Sequence, residues 1–165
     1  LSFRLPLLGL IVACSTPPAV AKPTALEGRA IFRFDTFGDE AFWTDTLRMH
    51  EVVQGLSPAT ALGVGLKVDL DALPASLVSD LKAGRVDLTS PATTVALLKL
   101  DAVVGVQATV DTNGRVVSFG VTCALCHSTV DNSLAPGIGR RLDGWPNRDL
   151  QPGTILSLSP ALQAA

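Results

Sequence analysis

Five residues constrain this chain more than any others: Cys123-Ala124-Leu125-Cys126-His127. Cysteines three apart sit one helical turn from each other, and the next residue is carried alongside them. Two thiols so spaced can each add to one of the two vinyl groups of a haem, leaving stable thioethers. The imidazole that follows can then bind iron as the proximal ligand. C-x-x-C-H therefore reads as a covalent haem attachment site, with one haem c as the cofactor. With 3 Cys and 2 His in 165 residues, chance would produce the pattern in about one such chain in a thousand.

Three other chemistries use the same residue types. A structural zinc site wants four ligands, commonly two Cys pairs or a Cys pair with a His pair. Beyond the motif only Cys14 and His50 remain, both distant in the chain. A thioredoxin-type dithiol has no need of a histidine directly after its second cysteine. A Cys123–Cys126 disulfide closes a very short loop and stabilises little.

At 165 residues there is room for one domain, and 47% hydrophobic against 17% charged residues allows a core. A net charge of −2, from 13 basic and 15 acidic residues, gives no polybasic footprint, which argues against a nucleic-acid partner. Tyrosine is absent and methionine occurs once, so the choice of iron ligands is narrow. The chain opens on Leu1, and Ser159-Pro160 looks like the start of a helix, Ser as N-cap and Pro at the first position. A fragment of a longer protein is the expectation.

Residues 1–21 read as an export signal: Arg4, an apolar run from Leu5 to Ala13, and a small-residue cleavage site at Ala19-Val20-Ala21. Ile11-Val12-Ala13-Cys14 also resembles a bacterial lipobox, in which Cys14 would be lipidated and Ser15–Pro23 would serve as a tether. The alternative is a cysteine discarded with the leader. Both place the protein outside the cytoplasm, in the periplasm or outer cell envelope.

Residues 22–165 form the expected mature domain. Leu26, Ala30, Phe34 and Phe37 fall at helical spacing, and Gly38 supplies a stop. Asp39 caps a second expected helix, Glu40–Val53, with Trp43, Leu47, His50 and Gln54 on one face and Phe42, Thr46, Met49 and Val53 beside it. Shorter helices are expected at Pro58–Gly63, Leu73–Ala83 and Pro91–Leu100. Then the period changes. Ala102–Val110 and Arg115–Thr122 are β-branched runs around Asn113-Gly114, a strong hairpin signal that leads straight into Cys123. After the motif, Ala135–Pro146 is a glycine-punctuated loop. Its Arg140, Arg141 and Trp145 suit the propionate edge of a haem, the alternative being a solvated surface loop.

C-A-L-C-H followed by Pro136-Gly137-Ile138-Gly139-Arg140 resembles the c-type cytochromes of bacterial cell envelopes. With the helices and hairpin read above, the expected fold is mainly α: a helical, cytochrome c-like haem domain with one β-hairpin inserted just before the motif. In the small class I members a proline carbonyl accepts a hydrogen bond from the proximal histidine, and Pro136 is the matching position. Those proteins supply a distal methionine after the motif, whereas here no Met or His follows His127. The distal ligand then lies in sequence beyond residue 165 or upstream, or the iron is five-coordinate. Upstream, His50 is the preferred ligand and Met49 the alternative; a hydrogen-bonded core histidine is the competing role for His50. Glu27-Gly28-Arg29-Ala30-Ile31-Phe32 resembles, more loosely, the opening helix of di-haem peroxidase-like cytochromes, which would imply a second C-x-x-C-H elsewhere.

The function expected from these residues is one-electron transfer with a redox partner protein that the sequence does not name. Cys123 and Cys126 would hold the haem and His127 its iron. A peroxidase-like activity is the enzyme alternative, and a zinc or disulfide module the non-haem one.

Overall fold

The computed structural model describes residues 24–164; the segment 1–21 read as a leader, the lipobox-like stretch and Cys14 lie outside the described residues. The fold is mixed, 45% helical and 18% strand with several small sheets, so the expectation of a mainly α domain is overturned. The reason is local. The strands the sequence reading overlooked are two or three residues long, too short to show an alternating period.

Helix α1 (Ala25–Phe34) is opened by a capping box in which Thr24 and Glu27 satisfy each other's backbone N–H groups. Its partner face is not the one the spacing suggests. Leu26, Phe34 and the following Phe37 are exposed, and Phe32 instead packs against Val104, Ala124 and Val130. The expected continuous helix over 40–53 is also absent. A π-helical turn (Phe42–Thr46) is followed by Arg48 in the left-handed region (φ 55°), and helix α2 (Met49–Gly55) starts afresh. A non-glycine residue there resets the helical phase, so His50 no longer shares a face with Trp43. The break is paid for by specific bonds: Trp43 Nε1 donates to Asp39 Oδ2 (2.7 Å), and Ser159 Oγ donates to the Leu47 carbonyl (2.7 Å).

Helix α3 (Pro58–Gly63) starts at Ser57-Pro58 as expected, with Ser57 Oγ accepting from the Thr60 N–H. Strand β1 (Val68–Asp69), helix α4 (Ala75–Lys82) and helix α5 (Pro91–Lys99) follow. Next comes the hairpin, strands β2 (Val106–Val110) and β3 (Val116–Val121), where Asn113-Gly114 placed it. Asp111 organises its turn, accepting from the N–H groups of Asn113 and Arg115. Helix α6 (Ala124–His127) is a single turn, and strand β4 (Ser128–Val130) leaves it at once. Strands β5 (Ile138–Gly139) and β6 (Arg141–Asp143) then return, β5 parallel to β1 and β6 antiparallel to β4. Helices α7 (Pro152–Ser157) and α8 (Pro160–Gln163) close the described chain.

The core gathers α2, α5 and the hairpin, with Leu97, Leu98, Val106, Val116 and Phe119 buried. Met49 is 3% exposed within it, and Leu125 of the motif packs against its edge. No helix among the described residues is long and apolar enough to cross a membrane.

Ser159 takes the N-cap position of α8, but its hydroxyl serves Leu47 rather than its own helix. With Ser159 fully buried, Ser159→Ala leaves the Leu47 carbonyl without a donor and should cost about 1–3 kcal/mol. The check is a lower urea midpoint at unchanged slope; an unmoved midpoint would contradict the role.

Candidate haem-attachment site

A four-residue helix has almost no stability of its own, because nucleation is unfavourable and one turn repays little of it. Helix α6 is therefore held by its surroundings, from three sides. Behind it runs Gly105, at φ +77°, so close that a Cβ there would lie 2.1 Å from the Leu125 nitrogen. Only glycine permits both that dihedral and that approach. At its start, the Thr122 hydroxyl accepts from the Ala124 N–H (3.2 Å) and donates to the Arg33 carbonyl of α1 (3.2 Å). Thr122 is 1% exposed, so this junction is dry.

At its end, the loop after β6 supplies donors to carbonyls that a short helix leaves orphaned. Gly144 N–H donates to His127 O (2.8 Å) and Asn147 N–H to Cys126 O (2.9 Å). Asn147 Nδ2 reaches the Gly65 carbonyl (2.9 Å), tying the same loop to the turn after α3. Within this frame Cys123 is half-buried, while Cys126 and His127 are exposed. Both thiols are unpaired.

Ser128, directly after the histidine, is fully buried and donates to Asp143 Oδ1 (2.9 Å). Asp143 also receives Arg33 Nε (2.7 Å) from α1, and Arg141 Nε lies 2.9 Å from it, with the Arg141 side chain only 3% exposed. Burial alone would raise the Asp143 pKa, but hydrogen bonds from Arg33 and Ser128 and the charges of Arg141 and Arg33 outweigh it and hold the carboxyl below its ordinary value. Burial pushes the Arg141 guanidinium down, and the Asp143 charge pulls it part of the way back.

The residues expected around a haem are only partly gathered. Trp145 is brought to the motif by the capping loop and stands 64% exposed. Arg141 lies beneath, in the ion-pair cluster, rather than on a free edge. Arg140 is exposed and sits 3.8 Å from Asp71, and Pro136 lines a groove with Lys67, Arg148 and Asp149; neither is placed at the motif. His50 borders a shallow cleft with Gln54, Arg115 and Val117, at the turn end of the hairpin. From there to Cys123 runs the whole of β3, about 20 Å of strand. Met49 is core. His50 therefore shares no site with His127 in this arrangement, while Met49 faces the interior, lining an apolar cavity with Leu125 of the motif, and His127 is exposed. Among the described residues, no three His, Cys, Asp or Glu side chains gather as a metal cluster.

The donor set itself fits a covalently held haem: two free thiols one turn apart, the second thiol and the adjoining imidazole open to solvent, on a turn fixed from behind. The supporting residues Gly105, Thr122, Ser128, Asp143 and Asn147 carried no sequence signal. Each acts through a partner remote in the chain, as Thr122 does through Arg33.

Gly105→Ala forces a positive φ on a branched centre and a clash with backbone, and should cost about 3 kcal/mol or more. A thermal midpoint equal to wild type would contradict the close approach. For Asp143, whose folded pKa is depressed, the stabilising contribution is complete above the ordinary carboxylate range and disappears as pH falls through its lower folded value. Asp143→Asn should cost about 2–4 kcal/mol at neutral pH and flatten the acid limb of stability. Urea unfolding of both proteins between neutral pH and pH 3 measures this, and parallel acid limbs would refute it. Compared with known proteins, the chain matches no family model, no curated protein and no solved structure.

Proposed function

We propose that this protein is a c-type cytochrome of the cell envelope that carries one haem covalently and transfers single electrons. One observation carries the reading: Cys123 and Cys126 stand unpaired, one turn apart, with Cys126 and His127 exposed on a helix too short to exist without its tertiary clamp. Such a turn presents its thiols at a fixed separation and does not have to be ordered when the cofactor arrives. In this reading Cys123 and Cys126 form the thioethers and His127 ligates the iron. The haem, when bound, supplies the exchange of one electron. The protein's part is to hold the ring against the motif, and to set the charge and water exposure around it.

The Arg33–Asp143–Arg141 cluster lies directly behind the ligand-bearing turn and adds net positive charge there. Positive charge near an iron favours its reduced state. Trp145 would cover the ring edge nearest Cys126. A peroxidase-like activity is the second reading. Its support is the place of His50 at the turn end of the hairpin, a strand's length from His127, which leaves that histidine without the position of a sixth ligand.

The test is expression with haem-attachment machinery and export, followed by a pyridine haemochrome spectrum. Wild type should give the spectrum of a haem with both vinyl groups saturated, Cys123→Ser or Cys126→Ser that of a single thioether, and the double variant no bound colour. Colourless wild-type protein would refute the proposal. Cyanide then separates the two readings: slow, weak binding supports the carrier, and rapid tight binding supports the enzyme.

A further inference from the structure

We propose that the apolar cavity inside the core binds a small, neutral, hydrocarbon-like molecule, between a xenon atom and a single benzene ring in size. The proposal stands independently of the haem reading. The cavity, about 90 Å³, lies between α2, α3, α5 and the hairpin. Met49, Leu97, Leu98 and Phe119 line it, and Leu125 of the motif borders it as well. Close-packed interiors hold few voids larger than a water molecule, and one of this size costs stability. It is also well below the several hundred Å³ that a drug-sized ligand takes, which limits the occupant to a small one.

The chemistry of the walls sets the ligand class. No polar atom faces the space. Three of the lining residues carry polar heads, and each head is bonded elsewhere. Trp43 Nε1 donates to Asp39, Lys67 Nζ to Asp149, and Thr94 Oγ1 to the Leu56 carbonyl. A buried water needs two to four polar partners and finds none here, so the cavity excludes it. A charged or hydroxyl-bearing ligand would lose its hydration without replacement. An apolar one brings dispersion contacts that the walls otherwise forgo. Met49 offers a polarisable thioether on an adaptable side chain, which lets the wall adjust to what enters. Ala61, buried on α3, stands on the lining where a larger side chain would take up the space.

The experiment adds xenon under pressure, and in separate samples benzene or phenol, to the purified protein with labelled methyl groups. Xenon should move the methyl resonances of Leu98, Val103 and Leu125 along a saturating curve, and leave those of Val117, exposed on the hairpin, in place. Benzene at several times its dissociation constant should raise the thermal midpoint by about 2–4 °C. Phenol, the same ring with a hydroxyl, should not raise it. Ala61→Leu fills the cavity and should abolish both responses. Val52→Ile, a smaller addition from α2, should weaken them, and serves where Ala61→Leu does not fold. A xenon response without a benzene response supports the site and sets its occupant at the smaller end. No saturating response of wild type to either probe would overturn it. So would responses undiminished in the folded filled variants, or a phenol shift equal to that of benzene.

Discussion

The structure depends on one close approach. The backbone of Gly105 lies against the backbone of Leu125, so the turn that bears the two cysteines and the histidine is pressed onto the hairpin. Nothing in the turn's own composition would keep it helical: it spans Ala124–His127, closed by His127 N–H to Cys123 O (3.1 Å) and the Ser128 N–H to Ala124 O. Its persistence comes from Gly105 behind, Thr122 at the entrance, and Gly144 and Asn147 at the exit. Each of these contacts uses a backbone group, which leaves the two thiols and the imidazole free for chemistry. That is the economy expected of a site built on rigid elements, where the supporting shell fixes geometry and the functional groups remain available.

A second layer joins α1 to the β4–β6 pair. Asp143 is the hub, with Ser128, Arg33 and Arg141 converging on it. A carboxylate with several charge-assisted partners resists protonation, while each guanidinium needs that carboxylate to tolerate burial. Arg33 also offers its carbonyl to Thr122, so α1 touches both ends of the motif: its entrance through Thr122 and its exit through Ser128. This places α1 where it can influence whatever binds at Cys123, and it accounts for an opening helix with no fully buried residue.

What could be read from the sequence divides along the range of the interactions. The hairpin was legible because Asn113-Gly114 between β-branched runs is a local signal, and α3 and α5 because Ser-Pro pairs open helices locally. The motif is a local pattern too, and the structure adds to it only the exposure of Cys126 and His127 and the contacts that hold the turn. The mainly α fold was misjudged because β1, β4, β5 and β6 are two or three residues each and owe their form to partners far along the chain. The stripe of Leu26, Ala30, Phe34 and Phe37 was read as helical spacing, yet Phe32 and Arg33 make the inward contacts. The His50 assignment depended on an unbroken helix, and one residue, Arg48 at φ 55°, removed that premise. Arg141 was seen as a candidate anion contact, but its actual partner, Asp143, lies two residues on.

The clamped turn is the proposed point of covalent haem attachment. The most direct measurement is extraction of the matured, exported protein with acidified acetone, followed by the mass of the polypeptide. The colour should stay in the protein pellet and the intact chain should be heavier by one haem, with the addition mapped to the peptide containing Cys123 and Cys126. Colour released into the solvent, or a bare polypeptide mass, would contradict it.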